Sequence, residues 1–362
     1  MLNIGIQFFA DAGTLVNATG NYVNAYTGTT TAFDTTNKLT PTMKTFYDTQ
    51  LLENARPELI FAQLAKKQAL PRNHGKSVEW RKWNTLPEAE TLTEGVIPTG
   101  QKLGMSSMTQ DIVQKGLYVT ISDQLELHAI DNAILGATEE LGASGGMSVD
   151  KMVRNEVVGG TVKQLCDKVN ATTGVHTEVT TRSGMDTTSV LTPTEINKAV
   201  TTLKKMHAPT INGKYVAVIH PSVAYDLRQS KEWIEAHKYA ATTEMFNGEI
   251  GELHGVRFIE STNQKIWNDS TCPVKTEAAS GNPAVYYSVY ATLVMGKDAF
   301  AMIDPDGGNM EMIVKTKDEA GGPLNQFSTV GYKYEGAAKI LYEDRMVRIE
   351  SLSAYSATDP AN

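Results

Sequence analysis

The 362-residue chain has only two cysteines, Cys166 and Cys272, far apart and without CxxC spacing. This excludes a disulfide framework or a zinc ribbon and leaves two reduced thiols, as in an intracellular protein. It has no run of about 18 apolar residues, so no membrane span is expected. The opening MLNIGIQFFADAG carries an apolar patch but no basic flank, and the patch is shorter than a signal-peptide core. These features read as cytoplasmic in origin. Basic charge is also scarce: the formal net charge is −8. A general grip on nucleic acid needs a basic surface, so that class of function is disfavoured. What remains is ordinary for a soluble protein, 41% apolar and 20% charged, and long enough for two or three domains.

Catalytic motifs fail on named residues. His74-Gly75-Lys76-Ser77 resembles the end of a phosphate-binding loop, but the glycine required five positions before Gly75 is Leu70. Asp304 to Asn309 resembles a calcium loop, but its twelfth position is Lys315 rather than glutamate. His220, Ser222 and Asp226 fall within one strand-to-helix turn, where a single backbone cannot converge them in relay. Ser222 reads instead as a helix cap. The seven histidines show no HxH or HxxxH spacing, and no metal site is expected. Gly142 to Gly146 lacks the preceding strand of a dinucleotide site. No catalytic residue, cofactor or metal is assigned, and the chain reads as a non-enzyme.

Several elements are legible. Residues 41–70 read as two short helices divided by Pro57. Asp123 with Glu126 reads as a capping pair opening a helical spine of about 45 residues, about 60 Å if straight. GASGG at 142–146 is expected to break or kink it, and its second helical face continues to about residue 168. Thr192-Pro193-Thr194-Glu195 is a helix start. Tyr215–Ile219 reads as a strand, and Pro221 opens a short helix. Residues 253–259 read as strand around a glycine turn, and 285–303, 310–317 and 326–353 as strands. The fold class is α+β, with an extended shape.

One feature has no place in a compact monomer. A strand-like run from Lys76 to Leu86 and another from Met108 to Ser122 flank the polar stretch PEAETLTEGVIPTGQKL, residues 87–103. Its length exceeds an ordinary hairpin turn. Trp80 and Trp83, three apart on a strand, lie on opposite faces. A lone two-stranded ribbon is marginal in water, so it is expected to lie across another surface. Self-association supplies one, since identical subunits offer identical surfaces.

The segments LLENARPELIFAQLAKKQALPRNHGKSVEWRKW (51–83) and LTEGVIPTGQKL (92–103) resemble a podophage-type major capsid family. Leu253–Ser261, Gly296–Phe300 and Arg345–Ile349 follow in matching order. The chain thus resembles a major capsid protein of tailed bacteriophages with the Hong Kong 97-like coat fold. The resemblance implies an N-terminal arm (1–45), a helical lead (46–75) and an extended loop (76–121) that overlaps a neighbour. It further implies a peripheral domain with spine helix (122–189), an axial domain (190–300) and C-terminal strands returning to the peripheral domain (301–362). Trp80, Trp83, Glu88, Glu90, Glu94 and Lys102 become the subunit-interface residues, the glutamates facing basic groups next door. Some relatives in the wider fold crosslink a loop lysine to a neighbour's asparagine. Lys102 is the only lysine in the tip, and no local motif activates it. The implied partners are further copies in hexamers and pentamers, scaffolding and portal proteins, a cement protein, and enclosed double-stranded DNA bound without sequence specificity. The alternative job for the same fold is an encapsulin-like nanocompartment shell loading a cargo enzyme.

Overall fold

The computed structural model describes residues 21–23, 30–32, 60–70, 75–84, 86–89, 91–92, 94–95, 97, 100–128, 133–170, 172–237, 251–276, 284–305, 311–315 and 326–362. Most of the expected arm, His74, Glu90 and the core of the calcium-like loop lie outside the described residues.

The N-terminal strands β1 (Asn21–Val23) and β2 (Thr30–Ala32) pair antiparallel. Helix α1 (Phe61–Leu64) leads into β3 (Lys66–Leu70), β4 (Ser77–Trp83), β5 (Met105–Asp111) and β6 (Val113–Ser122). Helices α2 (Asp123–His128) and α3 (Ala133–Val158) follow, then short strands β7 (Lys163–Leu165), β8 (Lys168–Val169) and β9 (His176–Thr177). An alternating run comes next: α4 (Pro193–Lys205), β10 (Tyr215–Ile219), α5 (Pro221–Gln229), α6 (Lys231–His237), β11 (Gly251–Leu253) and β12 (Val256–Glu260). The remainder is strand: β13 (Ile266–Trp267), β14 (Val274–Thr276), β15 (Val285–Tyr286), β16 (Val289–Met295), β17 (Phe300–Pro305), β18 (Glu311–Lys315), β19 (Phe327–Ile340) and β20 (Met346–Ser351).

The chain divides into two compact units. One comprises Met1–Ala55, Leu117–Ala143 and Met312–Tyr332. There the end of β6 lies beside the start of β19, with Asp123 N donating to Gln326 O at 2.9 Å and Ser328 Oγ to Ile121 O at 3.4 Å. The other comprises Arg56–Gly116, Ser144–Glu311 and Lys333–Asn362, and holds the main core.

That core is built on the sheet β11-β12-β10-β16-β20-β7. Every residue of β10 and β16 is buried, so neither strand alternates polar with apolar. Such strands need cover on both faces. Tyr215, Ala217, Ile219, Tyr290 and Val294 point into a cluster with α4, α5 and α6. Val218, Leu293 and Met295 point the other way, onto Phe61 of α1 and Val153 and Val157 of α3. The β11–β12 turn uses His254 (φ 52) and Gly255 (φ 78). Two positive φ values make the two-residue turn whose twist suits a hairpin.

Several expectations need correction. Lys66–Leu70 is a strand, not helix, because it pairs parallel with β17 from Ala301 to Pro305. Helix α3 is a single 26-residue element, about 39 Å long, and runs unbroken through GASGG. Packing overrides the glycine penalty there, since Leu141, Gly145, Gly146 and Asp150 are all buried. The helix ends at Gly159-Gly160, and 163–165 pairs with β20 instead of continuing the helix. Ser122, not Asp123, caps α2, its Oγ accepting from Leu125 N at 3.3 Å. Thr192 begins α4 without a side-chain cap bond. The strand Met346–Ser351 pairs with β16, so these residues of the 301–362 segment lie in the sheet formed mainly by 190–300.

A buried ionic rivet holds this sheet. Glu350, 1% exposed, accepts two bonds from Arg182, at 2.8 and 2.9 Å, and one from Arg348 at 3.0 Å. Both guanidinium groups lie over the Trp267 ring, at 4.0 and 5.6 Å. Arg348 also donates to Val158 O and Gly160 O, tying the end of α3 to β20. Removing the carboxylate strands two arginines. Glu350→Ala is expected to lower unfolding free energy by about 3–5 kcal/mol, read by urea denaturation. A loss under about 1 kcal/mol, the usual worth of a surface pair, would refute the buried-rivet reading. Gly296 tests close packing: a Cβ there would lie 2.5 Å from Pro209 O. Gly296→Ala is expected to cost about 1–3 kcal/mol, and an unchanged urea midpoint would show that the backbone yields freely.

Candidate assembly interface

Strands β4 and β5 form an antiparallel ribbon of seven facing pairs, from Ser77↔Asp111 to Trp83↔Met105. It closes at Asn84, whose N donates to Gly104 O at 2.9 Å and whose Oδ1 accepts from Ser106 Oγ at 2.6 Å. Side chains alternate along both strands between exposed and half-buried. The expected two-faced ribbon is therefore present.

The inner face is seated in the chain's own fold. Val78, Trp80 and Leu70 pack against a small cluster of Ile112, Ile303 and Ala337. Ile112 separates β5 from β6, its N donating to Lys76 O at 2.9 Å. Further out, Lys82 Nζ stands 5.4 Å from the Tyr342 ring centroid, and Arg345 stacks on the same ring at 3.7 Å. Trp80 is thus a packing residue of the ribbon root. The β17–β19 sheet offers an apolar seat within reach of the ribbon root.

Among the described residues the outer face and the tip have no such cover. Trp83 is 65% exposed, and Met105, paired with it, 49%. Beyond them the tip shows Leu86, Leu92, Ile97 and Leu103, with Ile97 at 94%. Glu88, Glu94 and Lys102 are exposed among these side chains. On the same outer face Arg81 pairs with Glu79 at 3.2 Å and holds that carboxyl below its usual range. Within the other unit, Leu117, Tyr118, Val119 and Leu127 also remain exposed. Of the expected interface residues, the structure groups Trp83, Glu88, Glu94 and Lys102 on the outer ribbon and tip, and Trp80 apart from them. Leu86, Leu92, Ile97, Leu103 and Met105 stand exposed beside them, and the sequence reading did not single them out, although the aliphatic content of the tip is visible there.

The rejected triad is broken by geometry. His220 Nδ1 accepts from Ser222 N at 3.2 Å, so His220 caps α5 and Ser222 does not. Asp226 accepts from Ala354 N at 3.0 Å. The His220 ring packs at 5.0 Å from Tyr290, whose hydroxyl donates to Asp359 at 2.5 Å. These bonds fasten residues 353–362 onto the sheet. Both cysteines are buried, and burial pushes their thiols up. Burial also holds the His220 imidazole below its ordinary value of 6.5, with Asp359 partly offsetting it. The unfolded chain therefore takes up that proton first, and this contribution to stability falls as pH drops below about 6.5. Asp226 acts in the opposite sense, because burial raises its carboxyl. His220→Asn retains a capping side chain and should flatten the loss of thermal stability between about pH 7 and pH 5. An unaltered pH profile would rule His220 out as its source.

Comparison with known proteins agrees with this architecture. The profile of the family described as phage capsid protein matches residues 107–349. No curated protein matches the chain. Among solved structures, the capsid of cyanophage P-SCSP1u superposes with TM-score 0.59 at 16% identity, covering 87% of this chain and 93% of that one. The cyanophage Pam1 capsid gives TM-score 0.60 at 13% identity, covering 89% and 98%. The capsid of Ralstonia phage GP4 gives 0.58 at 13%, covering 89% and 97%. At such identities the likeness speaks for the fold, and the family match, over well more than half the chain, speaks for membership. The chain belongs to the phage capsid protein family and is a major capsid protein with the Hong Kong 97-like coat fold.

Proposed function

We propose that copies of this capsid protein associate as hexamers and pentamers into the icosahedral head of a tailed phage, enclosing double-stranded DNA. The observation that carries the reading is the ribbon, bolted at its root by Ile112, Ile303 and Ala337 and bare at its tip. In the assembly the tip overlaps a neighbouring copy and buries Trp83, Leu86, Leu92, Ile97 and Leu103. Glu88, Glu94 and Glu90, the last outside the described residues, meet basic groups on that neighbour and set register more than affinity. Lys102 lies in the same contact. Residues 1–45 serve as an arm, 76–121 as the overlapping loop, and 122–189 as the spine-bearing peripheral domain. Residues 190–300, joined by 346–351, serve as the axial domain. The mechanism is geometric, with no chemical step. The net charge of −8 suits a container that holds DNA loosely. Assembly takes place in the host cytoplasm, with a scaffold, a portal and a cement protein as further partners. No observation favours the nanocompartment alternative.

Negative-stain electron microscopy of the chain, alone and with candidate scaffolds, tests this reading directly. Closed shells or isolated capsomers are the expected result, and monomers under every condition would overturn it. A variant series locates the contact. Replacing 86–103 by an Asn-Gly turn should leave the thermal midpoint of the monomer in place and abolish shells. Trp83→Ala should weaken assembly at unchanged monomer stability. Trp80→Ala should lower monomer stability by about 2 kcal/mol, less than a full core truncation because only part of the ring is buried. If the tip replacement still assembles normally, the overlapping-loop part fails while the capsid reading survives.

A further inference from the structure

Three side chains distant in sequence converge on the sheet's flank. Asp167 lies between β7 and β8, His176 opens β9, and Glu195 is the third residue of α4. Their ligand-type atoms all lie within 4.8 Å of one another. The β8–β9 pairing sets Val169 opposite His176, which brings the ring back beside Asp167. Gln164 Nε2 donates to Glu195 Oε2 at 2.7 Å and to its main-chain oxygen at 2.9 Å, fixing the carboxylate's orientation. Such an outer partner is what metal-binding carboxylates commonly have.

A cation already occupies the space. Lys198 Nζ donates to Asp167 Oδ2 and, at 2.9 Å, to Glu195 Oε1. Two carboxylates against one ammonium leave one negative charge. Glu195 is 2% exposed, so that charge is poorly screened, whereas the Lys198 side chain is 44% exposed and free to swing into solvent. Two carboxylates with a lysine would be a plain ion-pair cluster. The imidazole makes it more: among the described residues no hydrogen bond engages the His176 ring. It contributes a nitrogen donor where two oxygens already meet.

We infer that Asp167, His176 and Glu195 form a site for a transition-metal dication such as zinc, with the Lys198 ammonium as its reversible substitute. Carboxylate and imidazole donors suit such ions, and zinc stands high in the affinity order for mixed nitrogen and oxygen sites. Bonds of about 2.1 Å require donors no more than about 4.2 Å apart, so the set must draw in by a fraction of an ångström. Exposed His176 can supply that movement. The bound ion would staple the β8–β9 hairpin to α4, independently of shell assembly.

The test is calorimetric titration of zinc chloride into the chelator-treated full chain, with a parallel thermal melt. One site per chain and a raised midpoint are expected. His176→Ala, at an exposed position that should not disturb folding, should weaken binding about tenfold or more and remove the thermal gain. Lys198→Met should tighten binding several-fold by removing the competitor. No zinc binding by the wild-type chain, or binding that His176→Ala leaves unchanged, overturns the proposal, the latter marking adventitious binding elsewhere. Weaker binding by a folded Lys198→Met variant overturns the exchange between ammonium and metal.

Discussion

A two-stranded ribbon has two faces, and the described residues of this chain cover only the inner one. The constraint comes from backbone geometry, because alternate side chains on a strand point to opposite sides. Trp80 and its neighbours use the inner side to seat the ribbon on Ile303 and Ala337. Trp83, three positions later, is committed to the outer side by the same geometry. Nothing near it in the described structure takes it in, and the tip repeats the problem with four exposed aliphatic side chains. Burying a large apolar side chain is worth about 1.5–3 kcal/mol. Contact with a second surface would supply the gain that the described residues of the subunit leave unclaimed.

A projecting ribbon transmits that gain only if its base is firm. The base is firm because polar groups are buried in matched sets. Asp150 and Arg154, one turn apart on α3, share Asn263, which donates to Asp150 Oδ2 at 2.9 Å and accepts from Arg154 Nη1 through its main-chain oxygen at 2.8 Å. Asp150 also accepts from Ala62 N at 3.2 Å. One carboxylate thus joins the helical lead, the spine and the loop before β13. Glu350 does the same for β20, the turn at Arg182 and, through Arg348, the end of α3. Such sets add little net stability over apolar packing, but breaking them is costly. Their effect here is on register: five segments separate in sequence are held in one arrangement.

Much of this was legible in the sequence, for identifiable reasons. Strand β10 is an unbroken apolar run, the mark of a strand buried on both faces. Helix α4 declares itself through Thr192-Pro193 and an apolar face at Ile196, Ala199, Val200 and Leu203. The ribbon showed in its alternation and in the glycines and prolines of its tip. The misreadings share one cause, since each depends on a partner remote in sequence. Lys66–Leu70 has residues that serve a helix well, and only pairing with β17 makes it a strand. GASGG carries helix-weakening glycines, and only burial keeps α3 intact. His220 caps a helix because its ring is held against Tyr290, which no local pattern reveals. Strand periodicity sets Trp80 and Trp83 on opposite faces without saying which face the fold will cover.

The bare tip also has to leave the free subunit soluble. Its aliphatic residues are interrupted by Pro87, Pro98, Gly95 and Gly100, and Gly95 adopts φ 80. These residues oppose strand pairing between tips, the usual hazard of exposed apolar backbone. Glu88 and Glu94 add like charge, which repels tip from tip but not tip from a basic surface. Self-contact between tips is thereby disfavoured, while contact with a different face of a neighbour is not. A contact between unlike surfaces is heterologous, and heterologous contacts close into rings when the rotation allows. Each contact can be modest, because a subunit held in a ring and by further neighbours gains the sum of them. Modest contacts also come apart when wrongly made. An anchored root with a weak, charged and apolar tip is therefore better suited to building a closed shell than a single tight interface would be.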